Sequence, residues 1–219
     1  MKAVVRSILA VLPLLAIVSF SSSARGQVTA TAPVGENPAY MNRWDVDGGF
    51  QYSHFNPSPG RNISANNLVG WNVGTTAWMR PVWGIEANMR GLYGDMDLPS
   101  NSYGVPTNAK MSEYLWLFGP TFRLIRRDSY AAGMHVLIGA AYGSFDSDFP
   151  AGIQPNALNI YNNKLAFGSA VGAWYDHNLS PRLAARITAD WQPTRYGYTM
   201  QNEFAGSVGI VYKLGSLSK

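Results

Sequence analysis

Histidines, one serine and two pairs of aspartates are the residues whose types and spacing could support chemistry. Segment 205–209 reads Ala-Gly-Ser-Val-Gly and approaches the Gly-x-Ser-x-Gly motif of serine hydrolases. The Asp-x-Asp pairs at 95–97 and 146–148 could place two carboxylates on one face of the chain, which suits a hard divalent cation. The histidines could act as general bases and stand at three separate places: His54, His135 and His177.

None of these groups forms a complete catalytic or metal-binding set. A hydrolase serine stands at a strand-to-helix turn, whereas Ser207 falls inside a predicted strand, where we interpret it as a small luminal residue. Ser53 and His54 are neighbours, but successive side chains of a strand point to opposite faces, so the two are not within hydrogen-bond reach. The aspartate pairs lie where strands meet loops and are interpreted as solvated. We therefore expect no catalytic residue, no metal site and no cofactor.

The elements that carry these residues are eight segments of alternating polarity. In segment 43–55 the even positions are mostly apolar or aromatic, and the odd positions begin Arg, Asp, Asp, Gly, Gln, Ser. A strand puts these two sets on opposite faces, whereas a helix would scatter them around its circumference. The same alternation predicts seven further strands, at 68–80, 84–94, 112–124, 129–143, 164–177, 182–192 and 202–214.

Long and short connections alternate between these strands. The long ones are rich in Pro, Gly, Asn, Asp and Ser: 56–67, 95–111, 144–163 and 193–201. Long loops on one side and short turns on the other are typical of outer-membrane barrels, whose loops lie outside and whose turns lie in the periplasm. An even number of strands then places both termini in the periplasm.

Composition and the N-terminal segment indicate export. Residues 1–26 have a basic start, an apolar stretch and small residues at the end, as secretory signal peptides do. Removal of this signal peptide takes away three of the 17 Lys and Arg residues, so the net charge of the mature chain is 14 − 13 = +1. Such a small net charge gives no reason to expect nucleic-acid binding. Residues 27–42 are predicted to be a flexible periplasmic lead-in, 43–214 the barrel and 215–219 a C-terminal tail. The chain has no cysteine, which excludes disulfides and a lipoprotein anchor.

These patterns predict an all-β protein, an eight-stranded antiparallel up-and-down transmembrane β-barrel. Charged residues make up only 14% of the chain and aromatic residues 13%. The alternative is a soluble fold, either a β-sandwich or a lipocalin-like barrel. Barrels of the lipocalin type invert the pattern to an apolar lumen and a polar exterior. Trp and Tyr cluster near the strand ends on the apolar face, as the aromatic girdles of membrane barrels do, and this favours the membrane.

The signal peptide, the eight strands and the four long loops resemble the small outer-membrane barrels of the OmpA/opacity type. The most specific likeness is the last strand, where a polar residue, a glycine, an aromatic and an apolar residue follow the spacing of the signal read by the barrel-assembly machinery: Ser207, Gly209, Tyr212 and Leu214. In that family the last strand usually ends in Phe at the chain terminus, whereas here the motif ends at Leu214 and residues 215–219 follow it. The sequence given holds no peptidoglycan-binding domain, so tethering is not expected.

The resemblance implies a location in the bacterial outer membrane and partners that belong there. These are outer-membrane lipids and lipopolysaccharide around the barrel, and the barrel-assembly machinery during biogenesis. We expect a monomer.

A set of charged side chains should point into the lumen at middle depths: Asp47, Glu86, Arg90, His135, Arg186 and Asp190. A barrel of eight strands is about wide enough for side chains to fill. We therefore predict a salt-bridge network that plugs the lumen, with Arg186 bridging acids bidentately. The function predicted is a structural or surface-interaction role for the barrel. The alternatives are a narrow pore for ions or small solutes and a lipid-A-modifying enzyme.

Overall fold

The computed structural model describes residues 40–162 and 164–217. The predicted signal peptide, most of the predicted lead-in and the last two residues of the tail lie outside the described residues. No helix in the described ranges is both long and apolar enough to cross a membrane.

The predicted eight-stranded antiparallel barrel is confirmed. Its strands, in chain order, are β1 Trp44–Asn56, β2 Asn66–Arg80, β3 Trp83–Asp97, β4 Asn108–Arg126, β5 Tyr130–Ser144, β6 Leu165–Asn178, β7 Leu183–Trp191 and β8 Asn202–Leu214. Each strand pairs with its neighbours in the sequence, and β1 pairs with β8 to close the barrel. Closure pairs the backbone groups of every strand, which a lipid environment requires.

The exterior of the barrel is apolar and the lumen is closely packed. In β1 the odd-numbered residues Asp45, Gln51 and Ser53 are buried, whereas Phe50 on the other face is 79% exposed. Such a surface is costly in water and suits lipid. Aromatic contacts mark both ends of the apolar exterior, with Tyr130 stacked on Tyr175 near the short turns and the Tyr93 ring against Tyr114 near the long loops.

The seam between the first and last strands depends on two facing glycines. Gly49 of β1 is paired with Gly209 of β8. A Cβ atom at Gly49 would overlap the carbonyl oxygen of Val208, and one at Gly209 would overlap the carbonyl oxygen of Gly48. The two strands therefore approach at this point because neither residue has a side chain.

Three features differ from what the sequence patterns suggested. Strand β4 extends beyond the predicted 112–124 to Asn108–Arg126. Residues 40–42, assigned to a flexible lead-in, instead fold against the barrel, with Tyr40 and Asn42 buried. The lumen is not polar throughout, because its loop-side half contains a hydrophobic cluster whose strand members include Leu68, Leu92 and Leu115.

Candidate functional site

The candidate site is the set of twelve buried charged side chains that, among residues 40–162 and 164–217, fill the lumen. They lie in three successive groups along the barrel axis, which we call the lower, middle and upper layers, starting from the short-turn end. Strand pairing fixes these levels, because side chains of one parity on adjacent strands point inward at matching register positions. The buried set is Asp45, Asp47, Glu86, Arg90, Glu113, Arg123, His135, Asp176, Arg186, Asp190, Glu203 and Lys213.

Arg186 organises the lower layer. Its Nε atom donates to Asp176 Oδ1 at 2.7 Å and a terminal nitrogen donates to Asp176 Oδ2 at 2.9 Å. A further nitrogen lies 3.2 Å from Asp47 Oδ1. This fork-to-carboxylate geometry gives strong, directional bonds and leaves the guanidinium little freedom to rotate.

A second arginine of the lower layer is held by aromatic rings. The Arg123 guanidinium lies 3.7 Å above the centre of the Trp78 ring and 3.2 Å from Asp45 Oδ2. The Trp78 indole also donates to Asp45 Oδ2, at 2.8 Å. An inward Trp breaks the polar pattern of β2, and these bonds explain its position, because both its ring face and its N–H find partners there.

Tyr40 covers the lower layer at the short-turn end. Its ring lies 4.8 Å from the Arg123 guanidinium and 4.8 Å from Lys213 Nζ, and its hydroxyl donates to the carbonyl of Arg127 at 2.8 Å. Burial raises the pKa of the Tyr40 hydroxyl, with the Asn178 hydrogen bond acting in the opposite direction. The backbone N–H of Leu217 donates to the carbonyl of Met41, so residues that precede β1 and follow β8 both take part in this cover.

The middle layer centres on His135. Its Nδ1 lies 3.1 Å from Glu86 Oε2 and its Nε2 lies 2.9 Å from Asp190 Oδ1. Arg90 approaches the other oxygen of Asp190 at 2.6 Å. A neutral imidazole has only one N–H, so two carboxylate partners suit a ring that carries both protons and a positive charge.

The upper layer contains two glutamates and, in the part of the chain that the structure describes, no basic side chain. Glu113 Oε1 accepts a hydrogen bond from the Tyr196 hydroxyl at 2.9 Å, and Glu203 accepts one from Ser53 Oγ. Both glutamates are fully buried. Burial and the neighbouring Glu113 carboxylate raise the pKa of Tyr196 well above its usual value, so this loop residue remains a donor.

Above the upper layer the long loops close the barrel with apolar side chains. The rings of Phe145 and Tyr196 meet edge to face with centroids 5.2 Å apart, and Tyr161 contacts both Phe145 and Phe55. Leu158 and Ile160 from the β5–β6 connection are buried in the same cluster. We call this cluster the outer cap.

A small cavity of about 10 Å³ lies between the lower and middle layers, lined by Asp47, Asn72, Arg186 and Ser207 among others. That volume holds about one water molecule.

All six charged residues named from the sequence lie in this network. Arg186 and Asp47 belong to the lower layer, and Glu86, Arg90, His135 and Asp190 form the middle layer. The bidentate partner of Arg186 is Asp176, which is not one of the six. Counting outward from the short β6–β7 turn places Asp176 opposite Arg186, as they are paired in the ladder. The pairs Arg123–Asp45 and Glu113–Glu203 were missed as well.

The last strand places the four residues of the assembly motif on two faces. Ser207 points inward and its hydroxyl lies 2.6 Å from that of Thr188. Tyr212 and Leu214 point outward and are exposed. Gly209 lies at the seam with β1.

The remaining candidates for chemistry have other partners or lie apart. His54 Nδ1 lies 2.7 Å from Asn67 Oδ1 on the exterior, whereas Ser53 bonds to Glu203 inside. Asp146 pairs with Lys164 at 2.6 Å, and Asp148 accepts a hydrogen bond from the backbone N–H of Lys110. Within the described ranges no group of three or more His, Cys, Asp or Glu side chains is arranged to hold a metal ion.

Comparison with known proteins places the fold. No protein-family model matches the chain, and no curated protein sequence does. Among solved structures, the outer membrane protein OprG from Pseudomonas aeruginosa aligns with a TM-score of 0.57 at 11% identity, covering 81% of this chain and 98% of that one. Neisserial surface protein A aligns with a TM-score of 0.53 at 10% identity, covering 78% of this chain and 97% of that one. Ail, the attachment invasion locus protein of Yersinia pestis, aligns with a TM-score of 0.50 at 17% identity, covering 78% of this chain and 99% of that one. The chain thus has the fold of the small eight-stranded barrels of the bacterial outer membrane.

Proposed function

We propose that the protein is a closed outer-membrane barrel that does not conduct solutes and that acts through its stability and its outer loops. The observation that carries the proposal is the filling of the lumen. Buried side chains occupy each level from Tyr40 through the lower, middle and upper layers to Tyr196 in the outer cap. A solute would have to separate buried ion pairs and leave charges without partners, which costs several kcal/mol per ion.

Conductance across a planar lipid bilayer tests the closed lumen. The unmutated protein should insert without steady channel openings. The double variant Tyr40→Ala, Arg186→Ala removes the lower cover and the centre of the lower layer, and should show openings or noise if it inserts at all. A large steady conductance from the unmutated protein would overturn the proposal and favour the pore.

The surface role is supported by exposed aromatic residues on the loops. Tyr198 is 81% exposed and has a positive φ of 65°, and Tyr103 is also exposed. Other loop residues, such as Leu158 and Tyr161, belong to the outer cap. Loop deletion would therefore damage the barrel, so the better test is Tyr103→Ser with Tyr198→Ser, which leaves the cap intact.

Binding of the folded protein to lipopolysaccharide and to whole cells is the measurement for that double variant. We expect binding to fall while the heat-modifiable gel shift of the barrel is unchanged. Ail, which has a barrel of this fold, is named an attachment invasion locus protein. If binding is the same in both proteins, the exposed loop tyrosines have no such role.

The enzymatic alternative has no supporting geometry. Hydrolysis by a serine would need the hydroxyl and a histidine within hydrogen-bond reach. Ser53 and His54 lie on opposite sides of the barrel wall. Incubation with labelled lipopolysaccharide should release no acyl chain, and release that depends on His54 would contradict the proposal.

A further inference from the structure

The buried charges of the lumen balance in two layers and fail to balance in the third. The lower layer has three carboxylates and three bases: Asp45, Asp47 and Asp176 with Arg123, Arg186 and Lys213. The middle layer has two of each: Glu86 and Asp190 with Arg90 and a charged His135. The upper layer has Glu113 and Glu203 and no base, so the excess negative charge of the lumen is concentrated there.

No basic side chain of the described lumen is free to compensate this pair. Arg90 is the arginine whose charge acts on both glutamates. Its three nitrogens are already engaged, with Asn88 Oδ1 at 2.8 Å, Gln192 Oε1 at 2.6 Å and Asp190 Oδ2 at 2.6 Å. The glutamates therefore need a positive species that this network does not provide.

Unpartnered oxygen atoms at the pair indicate what that species is. Each glutamate uses one oxygen as an acceptor, and its second oxygen, Oε2, has no well-aligned hydrogen-bond partner among the described groups, although the Gln192 side chain lies within hydrogen-bond range of Glu203. The two carboxyl groups also contact each other. Gln51 adds a third buried oxygen without a donor, Oε1, two residues from Ser53 on the same face of β1. Buried acceptors without partners are rare because a buried polar atom that makes no hydrogen bond lowers the stability of the fold.

We propose that Glu113 and Glu203 form a binding site for a hard divalent cation of the calcium class at the loop end of the lumen. Such an ion prefers carboxylate, amide and hydroxyl oxygens, and its two charges neutralise the two carboxylates. With only two acidic ligands, the site relies on neutral oxygens such as Gln51 Oε1 and on water that accompanies the ion. Calcium fits better than magnesium because its coordination tolerates irregular geometry. The site goes beyond the proposed function and is independent of whether the lumen conducts.

Binding at this position would connect strands that are far apart in the sequence. Glu113 lies on β4 and Glu203 on β8, and Tyr196, bonded to Glu113, belongs to the outer cap. An ion held by both glutamates therefore stabilises the cap against opening. The stabilisation free energy increases with the logarithm of the ratio of the ion concentration to the dissociation constant.

Terbium luminescence tests the site on the folded full chain in detergent. Tb³⁺ substitutes for Ca²⁺, and excitation of the tyrosines and tryptophans should sensitise its emission, since the Tyr196 hydroxyl lies 2.9 Å from Glu113 Oε1. We expect saturable emission that Ca²⁺ displaces. Glu113→Gln and Glu203→Gln should each weaken binding about tenfold or more. The control Asp95→Asn removes an exposed carboxylate at the same end of the barrel and should leave the affinity unchanged.

A second measurement keeps the proposal open to refutation if the variants do not fold. Addition of Ca²⁺ to the unmutated protein should raise its midpoint in urea and remove any infrared band of a protonated carboxyl group. Emission equal in Glu113→Gln and Asp95→Asn would overturn the proposal. So would a protonated-carboxyl band that persists at saturating Ca²⁺, because the pair would then be neutralised by a proton.

Discussion

Arg186 and Asp176 are direct cross-strand partners in the β6–β7 ladder and form a two-point ion pair with nitrogen–oxygen distances of 2.7 and 2.9 Å. The pair joins adjacent strands at one register position, while the third contact of Arg186, with Asp47, reaches across to β1. One side chain therefore ties three strands together at the lower end of the lumen. A register slip of one residue would turn Arg186 to the lipid.

Replacement of Arg186 should destabilise the barrel strongly. Arg186→Ala leaves the buried carboxylates of Asp176 and Asp47 without their main partner, and the expected loss of unfolding free energy is roughly 3–5 kcal/mol. Unfolding in urea, followed by the gel shift of the folded form, measures it. Arg182→Ala removes an exposed arginine next to the same strand and should change stability by less than about 0.5 kcal/mol. Equal midpoints for the two variants would show that the network contributes little.

Tyr40 should contribute to the stability of the barrel through both its ring and its hydroxyl group. Tyr40→Ala removes a buried ring that contacts two cations, and we expect a loss of roughly 3 kcal/mol in urea unfolding. Tyr40→Phe keeps the ring and removes only the hydroxyl bonds to Arg127 and Asn178, so its loss should be about 1 kcal/mol. Tyr198→Ala, at an exposed loop position, is the control. A loss for Tyr40→Phe as large as that for Tyr40→Ala would mean that the hydroxyl, and not the ring, holds the cover.

The glycine seam gives a prediction about closure. Gly209→Ala places a methyl group against the backbone of Gly48, and the strands must separate to accept it. We expect a loss of roughly 1–3 kcal/mol or failure to fold, seen as loss of the gel shift. Gly206→Ala is the matched control on the same strand, because the nearest atom to its Cβ, Thr188 O, is 3.7 Å away. If both variants fold equally well, close approach at the seam is not required.

Alkaline unfolding should report the burial of Tyr196. Its folded pKa is raised, so its contribution to stability is fully present below about pH 10 and is lost as the pH rises toward the folded value, because the unfolded chain ionises first. Tyr196→Phe has no such proton, and its unfolding free energy should fall less steeply above that pH, by up to about 1.4 kcal/mol per pH unit. Tyr198→Phe should keep the slope of the unmutated protein. An unchanged slope in Tyr196→Phe would show that the hydroxyl is accessible in the folded state.

The sequence pattern predicted the fold well because a membrane barrel imposes a period of two on every strand. The bounds of β8 were predicted as 202–214 and are found there. Strand β4 was predicted too short because its outer end turns apolar residues inward, where the pattern expected polar ones. Ala109 and Met111 belong to the outer cap, and Lys110 between them is exposed.

The pairing of luminal charges could be predicted only in part. Parity shows that Arg186 points inward, but the partner it meets depends on the register between strands, which periodicity does not specify. Parity likewise places Trp78 inward but does not identify its partners, Asp45 and Arg123. Only the structure brings Arg123 of β4 and Asp45 of β1 to the same ring, through contacts between residues distant in the sequence.

The hydrogen bond from Leu217 to Met41 has a consequence for the order of folding. It joins the two ends of the described chain, and it can form only after β1 and β8 have met. Pairing the first strand with the last closes the longest loop in the molecule, which is entropically the most demanding step. The bond therefore forms only when assembly is complete. Cysteines introduced by Met41→Cys and Leu217→Cys, and crosslinked at intervals during refolding, would record when the curved sheet closes into a barrel.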